Sequence, residues 1–175
     1  MIAAVTITDG VYSYGTPVAV PGAKNFKASP RGEVTPYEAD NTDYLLIDGN
    51  DGYDIEFEVV YLPEDVKTVI FSMTKDANNV ATEYSGVAYP LFALLGQFEG
   101  DAHARRFAYL DCYVSNRPEI EAKTSKAKEP DTTKIKVVSK PRSSDDLVML
   151  YTTEDTDATA YGNWFTAVQE PSAGV

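Results

Sequence analysis

The sequence has little of what chemistry at protein sites usually needs. It holds one histidine, His103, and one cysteine, Cys112. A lone cysteine forms no disulfide within the chain, and one His with one Cys cannot supply a structural zinc site. A Ser-His-Asp arrangement would have to use His103, which sits in a turn beside Asp101 and Arg105 and reads as a surface or interface residue. Cys112 lies mid-strand beside Leu110 and Val114, where a small buried hydrophobe is expected rather than a reactive thiolate.

Glycine motifs are absent too. No two glycines are separated by a single residue, so no GxG dinucleotide fingerprint exists. Gly10 and Gly15 have Walker spacing, but Thr16-Pro17 follows where Lys-Ser/Thr is required. There is no GxSxG elbow and no HExxH. Asp48, Asn50 and Asp51 do not have the alternate spacing of an EF-hand loop, so a turn is expected there. Glu56 and Glu58 share a strand face as a glycosidase pair would, but so many acids crowd this stretch that nothing singles them out. Trp164 reads as core or interface, with sugar stacking as the alternative. No enzyme, cofactor or metal is expected.

No apolar run approaches the roughly 18 residues of a membrane span. The opening Met1–Asp9 has no basic region, so no signal peptide is expected. The chain also lacks an Asn-x-Ser/Thr sequon. With the single cysteine, this fits folding in a reducing cytoplasm.

Positive charge is scarce. Fifteen Lys and Arg face 27 Asp and Glu, a net charge of −12, which repels polyanions and argues against nucleic-acid binding. The two signs are segregated. No Lys or Arg occurs between Arg31 and Lys67, a stretch with eleven acids, whereas Lys123 to Arg142 holds seven bases against Glu129 and Asp131. Six acids and no base follow. These blocks are either solvated strand faces or complementary patches on neighbouring copies, since matched potentials fix register between partners.

What is present is strand pattern, with 12 Tyr and 7 Phe among 175 residues. Residues 1–20 read as an N-terminal arm or edge strand. Pro21-Gly22, Pro30-Arg31-Gly32 and Pro36 exclude a long helix over 17–47. Asp48-Gly49-Asn50-Asp51-Gly52 is a turn. Tyr53 to Tyr61 alternates with period two, apolar residues on one face and Asp54, Glu56 and Glu58 on the other. The one convincing helix runs near 64–73: Pro63 and two acids open it, and Val66, Val69, Ile70 and Met73 recur at helical spacing.

Lys75 to Gly86 reads as a polar loop. Pro90 to Phe98 reads as a buried strand, and Arg105 to Ser115 returns with Phe107, Tyr109 and Tyr113 on one side and Ala108, Leu110, Cys112 and Val114 on the other, both faces at least half buried. Asn116 to Asp131 reads as an exposed loop. Thr133 to Ser139, Leu147 to Thr152 and Asn163 to Val168 are the remaining strand candidates. The sum is a mainly β domain over 20–150, a β-sandwich or flattened barrel with one flanking α-helix, followed by a C-terminal strand and tail over 151–175.

Several stretches together resemble the major tail protein family of long-tailed, non-contractile phages, especially those of Gram-positive hosts. They are Ala23-Lys24-Asn25-Phe26, Gly32 to Asp40, Asn50-Asp51-Gly52-Tyr53, Leu62 to Val66, Pro90 to Leu95, Phe98-Glu99-Gly100-Asp101, Ala104 to Phe107 and Asp111 to Pro118. The resemblance covers roughly residues 20–142. It implies a tail-tube-like β-sandwich forming hexameric rings that stack into a hollow tube for DNA delivery. It also implies a virion-tail location after synthesis in the host cytoplasm, and as partners further copies of the chain and other tail components such as tape-measure and tail-terminator proteins.

Under that reading, Asp40, Asp43, Asp48, Asp51 and Asp54 are expected to line the lumen, where acids keep passing DNA from being tightly bound. The alternative is that they face outward and aid solubility. Lys123, Lys126, Lys128, Lys134 and Lys136 form the expected basic patch between subunits. Deleting residues 1–15 is expected to leave the domain folded and weaken assembly. The alternatives by function class are a stand-alone β-sandwich binding module for carbohydrate or protein, and a carboxylate-based hydrolase.

Overall fold

The computed structural model describes residues 1–32, 35–39, 42–47, 49–118 and 132–171. Its elements are β1 (Ile2–Thr8), β2 (Val11–Tyr14), β3 (Ala23–Arg31), β4 (Thr35–Ala39), β5 (Thr42–Ile47), β6 (Gly52–Val59), α1 (Glu64–Phe71), β7 (Thr74–Lys75), β8 (Ala81–Thr82), β9 (Phe92–Gln97), β10 (Arg106–Asn116), β11 (Thr133–Ser139), β12 (Met149–Tyr151) and α2 (Ala158–Asn163). The chain is mainly β. One antiparallel sheet runs in the order β2-β1-β9-β10-β11-β6-β3, with β12 paired to β10 beside β11. Two further two-stranded ribbons, β4-β5 and β7-β8, are not hydrogen-bonded into it.

The alternation in β6 has the expected outcome. Ile55, Phe57 and Val59 are buried, each contributing roughly 1.5–3 kcal/mol of side-chain burial. Asp54 is exposed and Glu56 and Glu58 are half-buried on the opposite face. The strand starts at Gly52, whose φ of 96° and close approach to the Ser139 carbonyl leave no room for a Cβ.

The far end of the sheet rolls back over its middle. Phe26 of β3 packs on Phe107 of β10, ring centroids 4.8 Å apart, and on Phe98 at 6.2 Å. The inner core lies between, built on Ile2, Ile55, Phe57, Phe92, Phe107, Ile135 and Val137. This is the sandwich with a flanking helix. Helix α1 seals the core with Val66, Ile70 and Phe71. It ends where Ser72 adopts a left-handed conformation (φ 54°), so Met73 packs on the core from just outside the helix.

Five expectations are corrected. First, a second short helix, α2, exists, and Asn163 to Val168 is not a strand. The Asp157 carboxylate accepts from the Thr159 and Ala160 amides at 2.9 and 3.1 Å and caps the helix. Tyr161, Trp164, Phe165 and Val168 then recur at i, i+3, i+4 and i+7. Second, among the described residues beyond 151 the chain carries a helix and no strand, since β12 ends at Tyr151. Third, only β2 of the N-terminal segment is an edge; β1 lies within the sheet between β2 and β9, with Ile2 and Ala3 fully buried, so deleting residues 1–15 would open the core and not leave the domain folded. Fourth, residues 75–86 are not only loop, since β7 and β8 pair there.

The fifth correction concerns β10. Tyr109 pairs with Leu94 but Cys112 pairs with Phe92, so β10 carries one extra residue across this step. The bulge reverses which parity faces inward. Phe107, Tyr109, Cys112 and Val114 belong to the inner core, while Ala108 and Leu110 face the other side with Ala3, Ala93, Leu95 and Trp164. Both faces of β10 are buried, as expected, but Cys112 and Val114 side with Phe107 rather than with Ala108.

Candidate functional site

Three features of the surface bear on function: a charged sheet face, a cluster around Arg142, and an aromatic groove.

The charged face belongs to β3, β6 and β11. Register places Lys134 opposite Glu58 and Lys136 opposite Glu56, while Lys27 meets Glu56 from β3. The Arg31 Nε lies 3.6 Å from Asp54, and the Thr132 hydroxyl donates to Glu58. Acids segregated along the sequence thus stand between bases from two other strands. Cross-strand pairs of opposite sign contribute about 0.2–1 kcal/mol each. Lys134 and Lys136, expected in a basic interface patch, face acids of their own chain. Asp54 has a guanidinium beside it, and Asp51 is exposed, its carbonyl accepting from Arg31 at 2.6 Å. Asp43 lies in β5 opposite Glu38 of β4. Asp40, Asp48, Lys123, Lys126 and Lys128 lie outside the described residues.

The second feature was not visible in the sequence. The Arg142 side chain is nearly buried, and its guanidinium donates to Asp145, to both Glu170 carboxylate oxygens at 2.9 and 2.7 Å, and to the Tyr14 hydroxyl at 3.1 Å. It joins the N-terminal hairpin to the C-terminal segment. The Arg142 hydrogen bonds hold the Asp145 carboxyl down at about 2, while burial pushes the Tyr14 hydroxyl up to about 12. Nearby, Asp111 is fully buried at the β10 bulge. Its Oδ2 accepts from the Tyr12 hydroxyl at 2.8 Å and lies 3.7 Å from the Lys140 ammonium; Oδ1 has no protein partner. Burial raises its pKa, partly offset by Tyr12 and Lys140. These bonds tie the N-terminal hairpin, the β10 bulge and the C-terminal segment together, with Arg142 and Asp111 buried and Lys140, Asp145 and Glu170 partly exposed at the rim.

The third feature is an open groove of about 980 Å³ between β3, β12 and the turn after β9. Phe26, Tyr53, Phe98, Phe107, Tyr109 and Tyr151 line it, and Phe98 and Tyr151 remain 48% and 61% exposed. Its polar lining is Lys27, Arg105, Arg106 and Asp101. The Asp101 carboxylate takes hydrogen bonds from Arg105 and from the His103 amide, and these hold its pKa below the usual range. Arg106 stacks on the ring of Tyr161, 3.7 Å from its centroid. The aromatic residues are scattered along the sequence and only the rolled sheet gathers them.

The residues singled out for chemistry fall elsewhere. His103 is half-exposed, its Nε2 2.9 Å from Glu154. Cys112 is fully buried, which pushes its thiol pKa well up. Trp164 is 5% exposed and donates its indole N–H to the Phe107 carbonyl at 3.3 Å, so it is core and offers no face to a sugar. Among the described residues, no three His, Cys, Asp or Glu side chains gather in a metal-binding arrangement, and no helix is long and apolar enough to cross a membrane. No protein family, curated protein or solved structure matches the chain.

Proposed function

We propose that this chain is a structural protein that assembles with copies of itself, as the major tail protein of a long-tailed, non-contractile phage, forming hexameric rings stacked into a tube for DNA delivery. The observation that carries the reading is the segregation of charge: eleven acids and no base lie between Arg31 and Lys67, and seven bases against two acids lie between Lys123 and Arg142. Opposed blocks on one chain suit head-to-tail contacts between copies, where matched potentials fix register.

The β4-β5 ribbon lies in the stretch without Lys or Arg. In a ring, that stretch would put Asp40, Asp43, Asp48 and Asp51 on the lumen wall, where a base would capture phosphate and release counterions. Asp54, beside Arg31, contributes least to such a wall. The partners would be further copies, with tape-measure and tail-terminator proteins at the ends of the tube, and the location the virion tail.

Negative-stain microscopy of concentrated protein tests the assembly: rings or tubes are expected, and monodisperse monomers at every concentration overturn it. Replacing Asp43, Asp48 and Asp51 with Lys tests the lumen. Slowed DNA ejection through intact tubes is expected, whereas normal ejection with altered salt solubility places the acids outside. A second reading, a β-sandwich binding module, is favoured by the aromatic groove and predicts saturable glycan binding by a monomer.

A further inference from the structure

The hairpin of β1 and β2 is fastened at its base and clipped further out. At the base, Ile2–Ala4 pair with β9, Val18 bridges Ile2, and the Gly15 amide donates to the Ala4 carbonyl at 2.9 Å. Beyond it, β2 pairs only with β1 among the described strands, and Ile7 and Val11 are 41% and 67% exposed. Among the described residues, two side chains make the hydrogen bonds from this outer part to the rest of the chain. The Tyr14 hydroxyl accepts from Arg142 at 3.1 Å. The Tyr12 hydroxyl donates to Asp111 Oδ2 at 2.8 Å and accepts from the Ser143 amide at 3.1 Å.

We infer that residues 5–14 form a flap over Asp111, shut while its carboxyl is protonated and lifted when the carboxyl ionises. The inference goes beyond the assembly reading and does not rest on it.

Asp111 has no solvent exposure, and its Oδ1 meets no partner. A neutral carboxyl tolerates that placement far better than a carboxylate with one oxygen unsatisfied. The site is nevertheless shallow. Ser143, on the other side of the Tyr12 hydroxyl, is exposed, and Lys140 keeps 42% of its side chain in solvent. Tyr12 stands between the carboxyl and that surface, so lifting it admits water to the site.

The charges around Asp111 offset its burial only in part. The Lys140 ammonium stands 3.7 Å from Oδ2, longer than a hydrogen bond. Arg142 is held by Asp145 and Glu170. Tyr14 faces the site from β2, and the neighbouring Cys112 thiol turns to the inner core. Burial therefore outweighs these groups and raises the carboxyl's pKa beneath the shut flap. Under a lifted flap Asp111 meets water and titrates near its ordinary value of about 3.9. As pH rises past about 4, the lifted form loses its proton first and gains in population, until the shut form has ionised too. Each unit between the two values multiplies opening about tenfold.

Hydrogen exchange of residues 5–14, corrected for the intrinsic pH dependence of amide exchange, reads this opening between about pH 4 and 8. Opening is expected to rise with pH and then level off, and these residues are expected to exchange ahead of β9 and β11 at every pH. Asp111→Asn, which keeps an acceptor for Tyr12, is expected to make opening independent of pH over this range. Lys140→Gln removes the nearby ammonium and is expected to move the plateau to higher pH; it decides the matter should Asp111→Asn fail to fold. Opening that is level with pH in the native chain, that rises equally in Asp111→Asn, or that keeps its plateau in Lys140→Gln overturns the flap. Exchange of residues 5–14 in step with β9 and β11 overturns it too, since the hairpin then opens only when the whole chain does.

Discussion

Lys136 of β11 stands directly opposite Glu56 of β6. Lys27 of β3 approaches the same glutamate from the other flank, so a residue of the most acidic stretch is enclosed by bases of its own chain. Lys136→Glu places like charges across the ladder and is expected to cost about 0.5–1 kcal/mol. The cost shrinks as salt screens the exposed pair. The exchange Glu56→Lys/Lys136→Glu is expected to recover most of it. Urea titrations at low and high salt measure both, and equal losses for the single and exchanged variants would mean the pair is without effect.

Trp164 holds the C-terminal segment against the outer face of β1, β9 and β10. Trp164→Ala is expected to cost about 3–5 kcal/mol through the cavity it leaves. Trp164→Phe keeps most of the packing but leaves the Phe107 carbonyl without its indole donor, for about 1–2 kcal/mol. Chemical denaturation separates the two, and a loss under 1 kcal/mol for the alanine variant would remove α2 from the stable fold.

The legibility of these elements in the sequence follows from their range. Strand β6 and helix α1 each show one face over at least two repeats of their own period, so Ile55, Phe57 and Val59, or Val66 and Ile70, announce themselves locally. Helix α2 was missed because it is short and interrupted by Gly162, although Asp157 and the spacing of Tyr161, Trp164, Phe165 and Val168 signal it. The bulge in β10 hid behind a strand apolar on both faces, where alternation says nothing; the charged Asp111 amid apolar neighbours was the available sign. The pairing of Lys136 with Glu56, and the meeting of Phe26, Tyr53, Phe98 and Tyr151 at the groove, depend on strand order, which no local pattern encodes. Of the acids and lysines expected to matter, Lys134 and Lys136 are set beside Glu58 and Glu56 of the same chain.

Asp111 sets a pH dependence whose sign can be worked out. Burial raises its pKa in the folded chain above the unfolded value of about 3.9. As pH rises past that value, the unfolded chain gives up this proton first, so ionisation favours unfolding until the folded pKa is also passed. The stability of the native chain relative to Asp111→Asn is therefore expected to fall as pH rises from about 4 and then to level off. Asn retains an acceptor for the Tyr12 hydroxyl. Asp145 acts oppositely: its carboxyl is held at about 2, so its contribution is present above the unfolded value and is lost as pH falls through about 2. Denaturation midpoints of both proteins between pH 2 and 8 check the difference; a constant gap would show that Asp111 is not strained by burial.

Gly52 and Gly86 separate backbone conformation from crowding. Both have positive φ, 96° and 79°, but an added Cβ meets open space at Gly86 and lies 2.0 Å from the Ser139 carbonyl oxygen at Gly52. Gly86→Ala is expected to cost about 1–2 kcal/mol for the left-handed conformation alone. Gly52→Ala adds a collision with backbone and is expected to cost several kcal/mol, enough to lower expression of folded protein. Thermal melts of the two variants decide, and equal losses would mean that β6 and β11 can separate at no cost.

The extra residue at the β10 bulge also decides how the strand answers a change of length. Removing a single position elsewhere in a strand transposes everything beyond it, turning core residues to solvent. Between Tyr109 and Cys112 the arithmetic is reversed. Excising Asp111 leaves Phe107, Tyr109, Cys112 and Val114 in unbroken alternation on the inner side, the arrangement they already have. The excision also removes the buried carboxylate. Position 111 is thus where β10 can lose a residue and keep its two faces, and shortened versions of this strand are expected to have their gap there.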